Sequence, residues 1–150
     1  MRLWHHSLVP FLPRWQLVAQ YRECCAIAKN WAVNGIPNHI LVNKIMNYSP
    51  DEFITYTQLI LTTFSARGYK TTSVSRNNFS NNMKVVKESY IGNPANGVIF
   101  HGWHNDIYLR ECLYNLEEKA MCGGMTKEEW SKIYNQFKDF TPLWDGGELD

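Results

Sequence analysis

The run from Ser49 to Gly68 most strongly limits what this 150-residue chain can fold into. Ser49 suits a helix N-cap, Pro50 suits the first helical position, and Glu52 stands where it would close a capping box. The apolar residues that follow recur at helical spacing: Phe53, Tyr56, Ile60 and Phe64. Gly68 can end the run in the left-handed conformation. We therefore predict a helix here with one face packed on a core.

A first helix is predicted from about Pro13 to Trp31. Its apolar residues recur at intervals of three and four: Leu17, Tyr21, Cys24, Ala28 and Trp31. Asn34, Gly35 and Pro37 are turn residues and would end this helix. A short helix from about Asn38 to Asn47 would follow. Its inward-facing residues would be Ile40, Leu41, Ile45 and Met46.

Two further helices are predicted in the last third of the chain. Asn105 or Asp106 would cap the first of them, and the glycine pair at 123–124 would end it. Its apolar positions are Ile107, Leu109, Leu113 and Leu116. Thr126 and Glu129 have the spacing of a second capping box. The apolar side of that helix would consist of Trp130, Ile133, Tyr134 and Phe137.

Residues 70 to 100 are rich in Asn, Ser and Thr, and we expect a long irregular loop there, with at most a short helix around Val85 and Val86. No alternation of apolar and polar residues requires a sheet. The predicted fold class is all-α, a compact single-domain helical bundle over residues 1–150 with a long irregular basic loop. The tail from about residue 145 is expected to be frayed.

Composition excludes two classes of protein. Hydrophobic residues make up 45% of the chain and charged residues 19%, as in globular rather than disordered proteins. No stretch approaches the ~20 consecutive apolar residues of a membrane helix, and the start lacks the apolar region of a signal peptide. We therefore expect a cytoplasmic protein. Its four cysteines contain no CxxC pair and are expected to be reduced, structural thiols.

Charge is distributed unevenly, although the net charge is only +1. Residues 1–87 contain ten Lys and Arg against three Asp and Glu, whereas residues 88–150 contain five against eleven. Five basic residues fall between the acidic positions 52 and 88: Arg67, Lys70, Arg76, Lys84 and Lys87. A basic face that binds phosphates fits this pattern, and so does a solvated face with an acidic neighbour in the same chain.

Glu23 lies in the run LVAQYRE of the first predicted helix. The small residues Ala19 and Ala26 flank it along the same helical strip, so its carboxylate would stand on an uncrowded face. By spacing alone, we expect a solvated Glu paired with a neighbouring Arg rather than a functional one.

The histidines do not define a site by spacing. His101 and His104 are spaced as metal ligands can be, but no carboxylate or thiol completes a set, and a structural or surface role is expected. His5 and His6 lie close enough to the terminus to reach a site there, but no role follows from that. No phosphate-binding glycine loop and no Ser/His/Asp or cysteine nucleophile arrangement is present. Neither a metal nor a cofactor is predicted.

The opening segment, MRLWHHSLVPFLPRWQLVAQYRECCAIAKNWA, resembles the start of the pyrimidine dimer DNA glycosylase family of the endonuclease V type. It is most similar to short bacterial members, which also begin MRLW and carry Leu-Val-Ala-x-x-Arg-Glu at the same distance. The resemblance continues through VNKIMNYSPDEF, ARGYK and HNDIYLRECLYNLEEK. It implies an all-α glycosylase fold and a DNA repair glycosylase with abasic-site lyase activity on damaged pyrimidines.

The resemblance also implies roles for particular residues. In the family, the free N-terminal amine attacks C1′ of the damaged nucleotide and forms a Schiff base, and a Glu on the first long helix is essential. In this chain the amine would belong to Met1, retained because Arg2 is bulky, and the carboxylate to Glu23. Arg2 and Arg22 would hold the flanking phosphates. The remaining DNA-binding residues would be Arg67, Lys70, Arg76, Lys84 and Lys87.

The expected partner is double-stranded DNA that carries a lesion, bound by a monomer. A noncatalytic nucleic-acid-binding module that keeps the fold stays open as an alternative, because the chain has Ala26 where viral members have an Arg and because its net charge is low. A protein-interaction domain is a third possibility. It predicts that the basic residues scatter rather than gather around Met1 and Glu23.

Overall fold

The computed structural model describes residues 1–95 and 97–140. The α-helices in these ranges are α1 (Arg14–Asn34), α2 (Pro50–Arg67), α3 (Ser73–Ser89), α4 (Asp106–Met121) and α5 (Lys127–Gln136). Short 3₁₀ helices span His6–Phe11, Asn43–Asn47 and Lys138–Phe140. No strand occurs in the described ranges, and the predicted all-α class is confirmed. The predicted frayed tail from about residue 145 lies outside the described residues.

Helices α1, α2 and α3 pack side by side, and α2 runs opposite to the other two. The ring of Tyr21 near the start of α1 meets that of Phe64 near the end of α2, at 5.5 Å between centroids. Trp31 near the end of α1 meets Phe53 near the start of α2 at 6.2 Å. The Tyr21 hydroxyl is 3.0 Å from Ser75 Oγ at the start of α3, and Lys87 at the end of α3 pairs with Asp51 at the start of α2, so α3 runs parallel to α1.

Helix α1 buries the stripe that the sequence predicts: Leu17, Tyr21, Cys24, Ala28 and Trp31 are all buried. It begins one residue after Pro13 and continues to Asn34, three residues beyond the predicted end at Trp31. Gly35 ends it with a φ of 77°, a left-handed conformation that favours glycine, and its N–H donates to the carbonyl of Trp31.

The ends of α2 are as predicted, with Ser49 as N-cap and Gly68 as the left-handed C-cap. The predicted capping box is wrong. The Ser49 hydroxyl accepts from the N–H of Asp51 at 3.3 Å, and Glu52 Oε1 accepts instead from the N–H of Phe100 at 2.8 Å. Because the Phe100 amide is buried, it needs an acceptor, and Glu52 supplies one. Glu52 thereby fastens the segment before α4 to α2.

The predicted long irregular loop is wrong for residues 73–89, which form α3. The Thr72 hydroxyl caps this helix by accepting from the N–H of Ser75 at 3.1 Å. Its buried residues are Phe79, Met83 and Val86, which share one face at helical spacing. Apart from Val74 and Val85, the rest of the helix is polar. Packing stabilises α3, because such a sequence has little helix propensity of its own.

Several residues predicted to face inward are exposed. The predicted helix from about Asn38 to Asn47 is shortened to the 3₁₀ turn Asn43–Asn47, preceded by Asn38 in a left-handed conformation with a φ of 62°. Within this region only Ile45 of the predicted set is buried. The exposed residues are Ile40 at 86%, Leu41 at 52% and Met46 at 38%, together with Ile107 of α4 at 67%. Ile40 and Leu41 are exposed because they lie in a turn at the surface rather than in a helix.

Helices α4 and α5 begin as predicted. The side chain of Asn105 caps α4 by accepting from the N–H of Tyr108 at 2.9 Å. Thr126 and Glu129 form both bonds of a capping box, and Glu129 Oε2 also accepts from the N–H of Arg14, which joins α5 to α1. All four cysteines are free thiols, as predicted. Over the described ranges, the helices are too short or too polar to cross a membrane.

Candidate active site

The N-terminal segment lies inside the bundle although residues 1–5 have no regular secondary structure. Leu3, Trp4 and His5 are buried, whereas Met1 keeps 46% of its surface exposed. Three successive backbone carbonyls accept hydrogen bonds from side chains of other helices: Arg2 O from Gln20 Nε2 (2.9 Å), Leu3 O from the Tyr108 hydroxyl (2.6 Å) and Trp4 O from the Tyr56 hydroxyl (2.7 Å). Chain termini are usually frayed, but this one is fixed by α1, α2 and α4.

Glu23 projects from the middle of α1 and is half-buried. Its Oε2 accepts a hydrogen bond from Gln20 Nε2 at 2.9 Å. Burial raises the pKa of the Glu23 carboxyl, while the N-terminal ammonium, Lys119 of α4 and the Gln20 hydrogen bond oppose this increase. The ammonium of Met1 thus acts electrostatically on the Glu23 carboxyl, and these are the two groups that the family resemblance pairs.

Arg2 is half-buried beside this pair. Its guanidinium lies over the Trp4 ring, 5.6 Å from the centroid, and opposes the rise in the Cys112 pKa that burial causes. The same side chain lines a surface cavity of about 330 Å³. The cavity also involves Lys44, Trp103 and other residues of the 40–44 turn and the start of α4. Arg2 is thus partly engaged inside the protein, while its cavity opens to solvent next to the terminus.

The face of α1 around Glu23 is open. Ala19, Arg22 and Ala26 are all exposed, as the sequence predicts for an uncrowded face. Trp15, two turns before Arg22 on the same face, leaves 75% of its surface exposed. An exposed aromatic ring and an exposed guanidinium on one helical face are suited to stacking and phosphate contact.

The other five predicted DNA-binding residues do not gather around Glu23. Arg67 donates to the carbonyls of Leu12 and Pro10 at 2.7 and 2.8 Å, Arg76 donates to Thr71, and Lys87 pairs with Asp51 at 3.0 Å. Lys70 and Lys84 are exposed. In the described part of the chain, the charged neighbours that act on the Glu23 carboxyl are the terminus and Lys119 rather than any of these five.

Three histidines converge where the N-terminal segment meets the start of α4. One ring nitrogen from each of His5, His6 and His104 lies within 4.8 Å of the others, and His101 is not part of the group. A neutral imidazole has one nitrogen lone pair. His5 Nδ1 accepts from the N–H of Ser7, and His104 Nδ1 accepts from the N–H of His6, so both lone pairs are already in use. A metal bound by all three would have to displace these backbone bonds, and the arrangement favours a structural role.

The histidine cluster predicts a loss of stability in mild acid. Burial lowers the pKa of His5 to about 4 and that of His104 to about 2, from 6.5 in an unfolded chain. Below pH 6.5 these histidines bind protons in the unfolded chain but stay neutral in the folded protein. Each histidine therefore lowers the free energy of unfolding by up to ~1.4 kcal/mol per pH unit between pH 6.5 and 4. We expect urea midpoints to fall steadily over this window.

The matched comparison is a double variant, His5→Asn with His104→Asn, because an Asn oxygen can still accept the backbone N–H bonds. Its absolute stability can differ from that of the native protein, but its dependence on pH between 6.5 and 4 should be shallower. The raised pKa of Glu23 acts in the opposite direction in both proteins. Equal pH slopes in the two proteins would contradict the prediction.

Sequence reasoning missed four residues that shape this site: Gln20, Tyr56, Tyr108 and Lys119. A signal existed for Gln20, which stands between Leu17 and Cys24 on the apolar stripe of α1. A polar residue in such a stripe needs a partner in the folded protein. Tyr56 had been predicted only as a core residue. Its hydroxyl, like that of Tyr108, finds a partner more than fifty residues away along the chain, which no local pattern indicates.

Comparison with known proteins adds one finding to this geometry. The model of the family described as pyrimidine dimer DNA glycosylase matches residues 1–77, which include α1, α2 and the whole N-terminal segment. No curated protein and no solved structure shows a significant match. The match covers more than half of the 150 residues and contains both Met1 and Glu23. The chain belongs to the pyrimidine dimer DNA glycosylase family.

Proposed function

We propose that this protein is a DNA glycosylase with abasic-site lyase activity that excises damaged pyrimidines, pyrimidine dimers above all. The N-terminal amine of Met1 is the nucleophile, and Glu23 is the acid and base. The observation that carries the proposal is the fixed terminus: side chains of three helices hold residues 2–4, while Met1 itself stays accessible and its ammonium acts electrostatically on Glu23.

An α-amine suits this role. Its ordinary pKa of ~7.7 to 8.0 lies far below the ~10.4 of lysine, so a larger fraction is neutral and nucleophilic near pH 7. A fixed position adds to this advantage, because holding a nucleophile against its target replaces a bimolecular encounter. An unstructured terminus would forfeit that gain.

The reaction begins when the Met1 nitrogen attacks C1′ and the glycosidic bond breaks. The damaged base leaves with the bonding electron pair and takes up a proton. Glu23 then removes a proton from the new N–C1′ linkage and returns it to O4′ as the C1′–O4′ bond opens. The nitrogen lone pair forms the C=N bond of a protonated Schiff base. Loss of a C2′ proton and departure of the 3′ phosphate complete β-elimination.

The environment of Glu23 supports these proton transfers. Burial raises the pKa of its carboxyl above the ordinary value, so that the group is a better proton carrier near neutral pH than an exposed Glu. As a carboxylate, it also faces the positive charge that develops on the sugar as the glycosidic bond breaks. The proposed reaction needs no cofactor.

The proposed DNA surface centres on α1. Arg22 and Arg2 hold phosphates on either side of the lesion, and the exposed Trp15 contacts an unstacked base. Lys70 and Lys84 add nonspecific attraction, whereas Arg67, Arg76 and Lys87 already have partners within the protein and contribute less. A monomer with one domain binds the lesion-bearing duplex, and the target nucleotide is extruded so that C1′ becomes accessible.

Borohydride trapping tests the proposal directly. The protein with its native, untagged terminus is mixed with a duplex that contains one abasic site, and sodium borohydride reduces the Schiff base to a stable amine. We expect a covalent complex that maps by mass spectrometry to Met1. A panel of ultraviolet-irradiated, abasic and modified-base duplexes then identifies the lesion. Salt-dependent DNA binding with neither trapping nor strand cleavage would overturn the proposal and favour a noncatalytic binding module.

A further inference from the structure

Gln20 is fully buried, with 0% of its surface exposed, on the otherwise apolar stripe of α1. A buried primary amide is costly unless its two donor hydrogens and its carbonyl oxygen find partners. Here all of them do. Gln20 Oε1 accepts from Trp4 N–H (2.8 Å) and faces the Tyr56 hydroxyl (2.9 Å), and Nε2 donates to Arg2 O and to Glu23 Oε2 (2.9 Å each).

The partners also fix which way the amide points. A flip would set the NH₂ group against the N–H of Trp4, and the oxygen against the carbonyl of Arg2 and the carboxylate of Glu23. The Tyr56 hydroxyl has one proton, which lies between Gln20 Oε1 and the nearer Trp4 O at 2.7 Å. The amide therefore has one orientation, held from both sides.

The two N–H groups of this one amide connect the two parts of the proposed reaction. One holds the carbonyl of Arg2, the residue next to Met1, and the other holds Glu23 Oε2. Because the two N–H groups lie in one rigid amide plane, a shift of either partner distorts the hydrogen bond to the other. We propose that Gln20 is a positioning residue that sets the Glu23 carboxylate against the N-terminal amine. This inference rests on the proposed function and deepens it.

The hydrogen bond also acts on the charge of Glu23. A donor that faces a carboxylate stabilises its ionised form, and Gln20 thereby opposes the rise in the Glu23 pKa that burial causes. Removing the donor should raise that pKa further. This effect distinguishes a positioning role from a purely structural one. A purely structural Gln20 would affect the stability of the protein but not the pKa of Glu23.

The first test uses the unmodified protein and does not depend on activity. In nuclear magnetic resonance spectra, the two side-chain N–H signals of Gln20 should shift with pH and report the titration of Glu23. The signals of Gln16, one turn earlier on α1, serve as the internal control, and their chemical shifts should not change over the same pH range. If the chemical shifts of the Gln20 signals do not follow the titration of Glu23, the inference is wrong, even if the protein traps abasic DNA normally.

The second test is Gln20→Met, which keeps the length of the side chain and removes its hydrogen bonds. We expect the trapping rate at saturating DNA to fall about 10- to 100-fold with DNA affinity unchanged. The acid limb of the pH–rate profile should move to higher pH. Gln16→Met, the same change one turn away, should alter neither quantity.

The outcomes separate the two proposals. If the native protein traps DNA and Gln20→Met matches it in rate and pH profile, the positioning role is wrong and the proposed function stands. If the native protein fails to trap, the proposed function is wrong, and the titration of the Gln20 signals still decides whether Gln20 holds Glu23. If Gln20→Met does not fold, as judged by circular dichroism, that same titration decides.

Discussion

Adding Gly-Ser ahead of Met1 is expected to abolish Schiff-base trapping on abasic DNA. The extension places the only α-amine two residues, or up to ~7 Å, beyond its native position. Misplacement of a reacting group by about 1 Å already costs on the order of 10²-fold in rate, so the loss should be at least that large. The segment behind it, held through the carbonyls of Arg2, Leu3 and Trp4, cannot shift to compensate.

The measurement is the yield of the borohydride-reduced complex over time, with thermal unfolding as a check on the fold. The same dipeptide added after Asp150 is the control and should leave trapping unchanged. Chemical acetylation restricted to the α-amine should reproduce the loss without adding residues. Native trapping by the N-terminally extended protein would contradict the prediction that the nucleophile is an amine held at the position of Met1.

Glu23→Gln is expected to reduce base excision and strand cleavage by on the order of 10²- to 10⁴-fold, the usual contribution of a positioned acid and base. The Gln side chain has nearly the same shape but cannot carry a proton between the amine and O4′. It also places an amide against the Gln20 donor, whose bond to the carboxylate is 2.9 Å long. DNA affinity should change little, because the loss falls on the chemical step.

Single-turnover kinetics with excess protein measure that step without product release. Glu88→Gln is the matched control, since Glu88 is an exposed carboxylate on α3 and has no part in the proposed site. It should react at the native rate. A Glu23→Gln protein within tenfold of the native rate would remove Glu23 from the mechanism and leave the amine to act with solvent as its base.

Much of the helical framework could be predicted because its signals are local. The stripe of α1 and the Thr126–Glu129 capping box need only residues within one or two turns of each other. Helix α3 could not be assigned on the same grounds, because Asn and Ser dominate it and only three of its residues are buried. Its stability comes from packing on α1 and α2, which is information that a local window does not contain.

The residues of the candidate site also fall into a group that could be predicted and a group that could not. Met1 and Glu23 were predicted as site residues only through resemblance, since spacing alone left Glu23 an ordinary exposed carboxylate. Tyr56, Tyr108 and the histidine cluster act across 52 to 105 positions of sequence, and such contacts follow only from the folded arrangement. Glu52 shows a different kind of error. Its local spacing predicted a capping box, but in the folded protein its carboxylate accepts a hydrogen bond from the distant buried amide of Phe100.

The attachment of the first residues to α4 has a consequence for biosynthesis. During synthesis Leu3 and His5 leave the ribosome before their partners Tyr108 and His104, which follow about a hundred residues later. At translation rates of 5 to 20 residues per second, the amino terminus waits roughly 5 to 20 s for its binding site. During that interval Leu3 and His5 lack the hydrogen bonds to Tyr108 and His104 that help to fix them in the folded protein. The first segment can therefore complete its packing only after residues 104–108 have been made.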